Sequence, residues 1–220
     1  MDIEKILDEL TADIDIIDSN DIPNIDLYMD QVTTFMDHHL SHYKRTDDEK
    51  ILTKTMINNY AKSSLLPSPE KKKYSKDHMI LLILIYYFKN ILSINDIKKL
   101  TDPISNNYFG NKESLTITDI YDFMNSYAPT VIDDVKGDVL TKLDKVNSSE
   151  LFRKIPESED SQLREEELRN FLTILALTFD ITIKKQLIEN IIDSMVSPAD
   201  SDLAEEKKSK DSKEKNKNKE

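Results

Sequence analysis

The residues best placed to do chemistry lie in two short stretches. The first, "LTKTMINNYAK" over positions 52–62, carries Lys54, Thr55, Asn58, Asn59 and Lys62. The second, "LLPSPEKKKYSKDHM" over positions 65–79, carries Lys71, Lys72 and Lys73 between prolines and a Tyr-Ser pair. An asparagine amide presents a donor and an acceptor side by side and can pair bidentately with adenine in a major groove. A lysine ammonium neutralises a phosphate whatever the base sequence. Lys54 and Thr55, at the start of a helix, also have the helix dipole to help them hold an anion. The chemistry on offer is recognition of a polyanion.

Catalytic and metal chemistry find less support. His38 and His42 stand one turn apart in "DHHLSH", but no cysteine or nearby glutamate completes a ligand set, so no metal is expected. Two glycines in 220 residues exclude the glycine-rich loops that cradle nucleotide phosphates. No Gly-x-Ser-x-Gly, Walker or zincin motif is present. The expectation is a protein that is not an enzyme and needs no cofactor. The absence of cysteine excludes disulfides and suits a cytoplasmic location. The acidic N-terminus "MDIEKILDEL" does not resemble a signal peptide. The longest apolar run, Met79 to Phe88, is too short to span a membrane.

Whole-chain charge argues against a polyanion partner, because the formal net charge is −12. Its distribution argues the other way. Residues 1–43 hold one cation, Lys5, against eleven acids; residues 44–76 hold nine cations against four acids. Local charge governs contact because charges are screened over about 8 Å at physiological salt, while the acidic remainder slows association.

The elements that must position these residues read as helices. Ile3, Ile6, Leu7, Leu10, Ile14 and Ile17 recur at three- and four-residue steps, which predicts an acidic amphipathic helix. Leu27, Met29, Val32, Phe35, Met36 and Leu40 predict a second helix. A short third helix starts near Thr53, with Met56, Ile57 and Tyr60 on its inner face, and Pro67 and Pro69 end it. Ser75 is placed to cap the apolar helix that follows, and Ser93 with Asp96 opens a helix through Leu100. Thr116 with Asp119 opens another, and Ile132, Val135, Val139, Leu143 and Val146 mark a separate one. Two strongly apolar helices are predicted over 163–179 and 183–196. From Pro198 the chain is almost devoid of apolar residues and is expected to be disordered.

The order of features between Thr53 and Leu100 resembles the MerR-like winged helix-turn-helix. In that family a recognition helix ends in a Leu-Leu-Pro turn, a basic wing closes on Tyr-Ser, and a later helix opens with Ser-x-x-Asp/Glu-Ile. Here these are Leu65-Leu66-Pro67, Lys71-Lys72-Lys73, Tyr74-Ser75 and Ser93-Ile94-Asn95-Asp96-Ile97. Asn58 and Asn59 stand where the family carries arginine and tyrosine, and Ser64 replaces its usual glycine. A wider resemblance, over Pro23 to Met195, is to the domain-of-unknown-function 1836 family. It is carried by "IDLYMDQVTTFMDHHL", "LTKTMINNYAKSSLLPSPEKKKYSKDH" and "KNILSINDIKKL". That resemblance implies a DNA-binding transcriptional regulator.

The resulting expectation is a mainly α chain. It comprises an acidic helix over 1–20, a winged helix-turn-helix module over 23–105 and a helical region over 106–197, with a charged tail over 198–220. Its expected partners are duplex DNA, through Lys54, Thr55, Asn58, Asn59, Lys62 and Lys71–Lys73, and a second copy of the chain, with no membrane. The alternative is a helical protein–protein adaptor that keeps the winged fold without binding DNA and docks through the acidic helix.

Overall fold

The computed structural model describes residues 2–14 and 16–195, and the tail expected to be disordered lies outside the described residues. Among the described residues the chain forms seven α-helices and one small antiparallel sheet, so the fold is mainly α. In chain order these are α1 (Ile3–Asp13), β1 (Leu27–Tyr28), α2 (Met29–Leu40), α3 (Lys54–Lys62), β2 (Lys73–Tyr74), α4 (Lys76–Phe88), α5 (Ile94–Tyr108), α6 (Ile117–Asn147) and α7 (Ser161–Ser194). Short 3-10 turns occupy Ser41–Tyr43 and Glu150–Lys154. No helix among the described residues is long and apolar enough to cross a membrane.

The apolar run read from the sequence is α4. Met79 to Ile83 and Ile85 are fully buried, as a helix apolar all round requires. Val32, Met36 and Leu40 of α2, Ile57 and Tyr60 of α3, Ile97 of α5, and Ile117 and Tyr121 of α6 belong to the same core, joined by Ile192 near the end of α7. The sheet pairs Leu27 with Tyr74 and Tyr28 with Lys73, which ties the end of the basic loop to the segment just before α2.

Four helix boundaries differ from the sequence expectation. The first helix stops at Asp13 instead of continuing to Ile17. The backbone is extended at Ile14, and the Ile17 carbonyl accepts hydrogen bonds from the Tyr121 hydroxyl at 2.7 Å and the Asn125 amide at 3.1 Å. These long-range bonds and the burial of Ile17 outweigh the helical periodicity.

The fifth helix passes Leu100 and runs through Pro103 to Tyr108, because Ile104 and Tyr108 beyond the proline still pack on the core. The expected pair of helices between Thr116 and Val146 is one helix of 31 residues, α6, with Pro129 inside it. Proline removes one backbone donor. Residues Thr11, Ile14 and Ile16 face Met124 to Val135 across a shared apolar groove on either side of that proline. Likewise the two apolar helices expected at 163–179 and 183–196 are one helix, α7. The separating "DITI" contains only mild helix-disfavouring residues, and the pair Lys184–Asp180 (2.9 Å) bridges that stretch.

Candidate functional site

Helix α3 is defined at both ends by local bonds. The Thr53 hydroxyl accepts from the Met56 amide at 3.1 Å, satisfying one of the free N–H groups of the first turn. At the other end the Leu65 amide donates to the Tyr60 carbonyl at 2.9 Å and the Ser64 amide to the Ala61 carbonyl at 3.2 Å. This is a Schellman ending, and it requires the left-handed backbone that Ser64 adopts at φ 56°. A Cβ in that region is disfavoured, so Ser64 occupies a position made for glycine. Buried Leu65 and Leu66 then hold the turn to the core.

The inner face of α3 is Ile57 and Tyr60. Lys54, Thr55, Asn58, Asn59 and Lys62 are all exposed, on the opposite side. At about 100° per residue these five fall within one arc of the helix. The structure therefore brings the five predicted side chains together on one outward surface. One of them is engaged: Lys54 forms an ion pair with Asp30 of α2, both side chains being well exposed.

The lysine run is divided. Lys71 and Lys72 are exposed at the tip of a tight turn in which the Lys73 amide donates to the Glu70 carbonyl at 2.9 Å. Their φ angles are 50° and 65°, the pattern of a type I′ turn, whose central positions favour Asn-Gly. Lys73 is half-buried in β2 and its ammonium lies 5.3 Å from the centre of the Tyr28 ring. The turn has no two-stranded hairpin of its own. Its single internal bridge is Glu70 to Lys73, and the strand that follows pairs with β1 instead.

The base of the loop is set by His78. Its ring is buried, and its Nδ1 accepts from the Ser75 amide at 3.0 Å, at the start of α4. It stands edge-on to Tyr74 and Phe109. Burial holds its pKa below the usual 6.5, while the backbone of Pro67, the charge of Asp77, the backbone of Ser68 and the charge of Asp26 pull upward. The segment ahead of α3 is anchored by Lys89, whose ammonium donates to the Ile51 carbonyl at 2.8 Å. Burial lowers the Lys89 pKa, and Glu49 opposes that shift.

Sequence reasoning missed two contributors. Lys98 of α5 donates to the Ser63 carbonyl at 2.9 Å, placing a cation at the negative end of α3. Tyr28 supplies the ring beneath Lys73. Both depend on contacts between residues far apart in the chain, which local spacing does not encode.

Residues 17–124 match the family model described as a domain of unknown function, DUF1836. The matched segment runs from the buried Ile17 to Met124 in the first turns of α6. It contains the whole surface just described and leaves α7 outside. No curated protein and no solved structure matches the chain.

Proposed function

We propose that the chain is a DNA-binding transcriptional regulator, with α3 as its recognition helix and the 67–73 loop as a short wing of MerR-like type. On this reading it acts by binding rather than catalysis and works in the cytoplasm. The observation that carries the reading is the pair Lys71 and Lys72, both in left-handed backbone at an exposed turn. Each such residue costs about 1–2 kcal/mol relative to an ordinary conformation. Strain kept at two adjacent exposed cations is explained by a use for their charge. The outward face of α3 supplies the complement, two amides able to read base edges and flanking lysines able to hold phosphate.

The departures from a MerR-like module concern its joints. The connection between α2 and α3 spans 13 residues, 41–53, where a compact helix-turn-helix uses three or four. Asp30 must release Lys54 for that lysine to meet a phosphate. The exposed pair is worth little, so the exchange is inexpensive.

The test is a salt series on random duplex DNA with the triple variant Lys71→Ala, Lys72→Ala, Lys73→Ala. Wild type is expected to lose affinity steeply with salt. The variant is expected to bind less tightly, with a slope shallower by about 0.9 for each phosphate no longer neutralised. Equal binding by both proteins would instead favour the adaptor reading. That reading has its own support in α1, where Ile6 and Leu10 are exposed on an acidic helix.

A further inference from the structure

Both ends of the basic loop meet at His78, the third residue of α4, whose ring is buried. At the outgoing end its Nδ1 accepts from the Ser75 amide at 3.0 Å and lies 2.9 Å from the Ser75 hydroxyl. An accepting Nδ1 carries no proton, so the proton of the neutral ring sits on Nε2. Nε2 is buried and makes no well-formed hydrogen bond. The backbone of Pro67 and Ser68, at the incoming end, favours a proton on the ring, and with Nδ1 turned to Ser75 it is Nε2 that this backbone meets. Tyr74 of β2 and Phe109, just after α5, stand edge-on to the ring, with centres 5.5 Å and 4.7 Å away. Gly110 donates to the Asp77 carboxylate at 2.7 Å, which fastens the same segment to the start of α4.

Between these two ends lies the strained turn. The Lys73 amide closes it on Glu70, and Lys71 and Lys72 hold left-handed backbone inside it. With no hairpin of its own, the turn is held from its ends, and strain of this kind persists only where the surroundings over-determine it. Two carboxylates face the ring, Asp77 of α4 and Asp26 from the segment ahead of β1. From β2 it meets the Tyr74 phenol, which burial holds above its ordinary range and so uncharged. From the end of α5 it meets only the uncharged Phe109. Burial outweighs the two carboxylates and favours the neutral ring.

We propose that His78 is a proton-sensitive clasp for the basic loop: the neutral ring joins the loop's two ends and holds Lys71 and Lys72 outward, and protonation releases Ser75 and lets the turn relax. An imidazolium carries N–H on both nitrogens. Its Nδ1–H would meet the Ser75 N–H donor to donor. The Ser75 hydroxyl, by turning its hydrogen away, can accept from Nδ1, but the Ser75 amide is then left without a partner. A buried cation and an unpaired amide are both costly, and opening the loop returns both to water. Once Ser75 is free, nothing at the outgoing end holds Lys71 and Lys72 in left-handed backbone except the short pairing of β2 with β1.

The clasp is tested without DNA, and only its consequence for DNA rests on the wing proposed above. Hydrogen exchange of the full chain reads the local opening. An open loop whose histidine titrates at the ordinary 6.5 gains about tenfold in population between pH 7.5 and pH 5.5 over a closed loop whose ring stays neutral. The protection factors of the Ser75 and Lys73 amides should fall by about that factor, and the Ile83 amide, in the middle of α4, should stay far better protected at both pH values. His78→Gln keeps an acceptor for Ser75 and a donor for the opposite backbone but does not titrate, so its loop protection should no longer change over this range. His78→Phe keeps the bulk without the acceptor and should leave Ser75 and Lys73 weakly protected at either pH. On random duplex at pH 7.5, His78→Phe should show a salt slope shallower than that of His78→Gln by about 1.8, the share of the two turn lysines. If no form of the protein bound DNA, the wing reading would fail while exchange still decided the clasp. Wild-type loop protection that does not change with pH, a fall shared equally by Ile83, or a His78→Phe loop as protected as wild type would overturn the proposal, and the first two are read on wild type whether or not the variants fold.

Discussion

Lys71 and Lys72 occupy the two central positions of a turn that Asn-Gly would fill without strain. Replacing them with Lys71→Asn and Lys72→Gly should therefore relieve the backbone and remove two cations at once. The expected outcome is a melting temperature about 2–4 °C higher for each kcal/mol recovered, with a DNA salt slope shallower by about 1.8. A stability gain coupled to weaker binding is what a strained functional site produces. Ser64 offers a control at a neighbouring site. Its φ of 56° suits glycine, so Ser64→Gly should also raise the melting temperature while leaving the charge of the surface untouched. If it weakened DNA binding as much as the double variant does, charge would not be the cause.

His78 makes a pH prediction at the same scale. Its folded pKa lies below the unfolded value of 6.5 because burial penalises the imidazolium. Below 6.5 the unfolded chain thus binds more protons than the folded one, and stability falls as pH drops through 6.5 toward the folded pKa. The protonated ring also cannot accept the Ser75 amide bond that begins α4. The Cε1–H resonance of His78, assigned by comparison with His78→Gln, should titrate below 6.5, and a midpoint at or above that value would contradict the expected direction.

At the scale of elements, starts were legible in the sequence and lengths were not. Ser93 and Thr116 each accept a backbone N–H at the helix start read from their spacing, because a cap is a bond between residues three apart, and Thr53 does the same where a helix start was expected nearby. Lengths went wrong where tertiary packing carried a helix past a proline, as in α5 and α6, where α7 ran on through "DITI", and where packing carried the chain out of a helix, as after Asp13. The candidate surface was legible to the same extent. The five α3 residues share a face because a helix forces it, whereas the left-handed lysines and the Lys98 contact depend on how the loop is pinned.

Thr116 tests how much one cap contributes to so long a helix. Its hydroxyl accepts from the Asp119 amide at 3.1 Å, and its own hydrogen bonds to the Asp119 carboxylate hold that group's pKa below the ordinary value. Thr116→Ala should lower the melting temperature by about 2–4 °C, because the start of α6 is also held by buried Ile117 and Tyr121. A much larger fall would mean that Ile117 and Tyr121 do not hold the start of α6 once the cap is lost.

At the scale of the whole molecule, a chain of net charge −12 has to present a positive surface to a polyanion. The candidate surface offers five lysines, Lys54, Lys62, Lys71, Lys72 and Lys73. If each neutralises one phosphate, a single copy should show a salt slope of about −4.5, which is modest against the repulsion of an acidic body. That slope is read by titrating wild type on random duplex across a salt series, and Lys54→Ala with Lys62→Ala should flatten it by about 1.8. A slope unchanged in that variant would mean that the two α3 lysines meet no phosphate and that the 67–73 loop alone carries the charge.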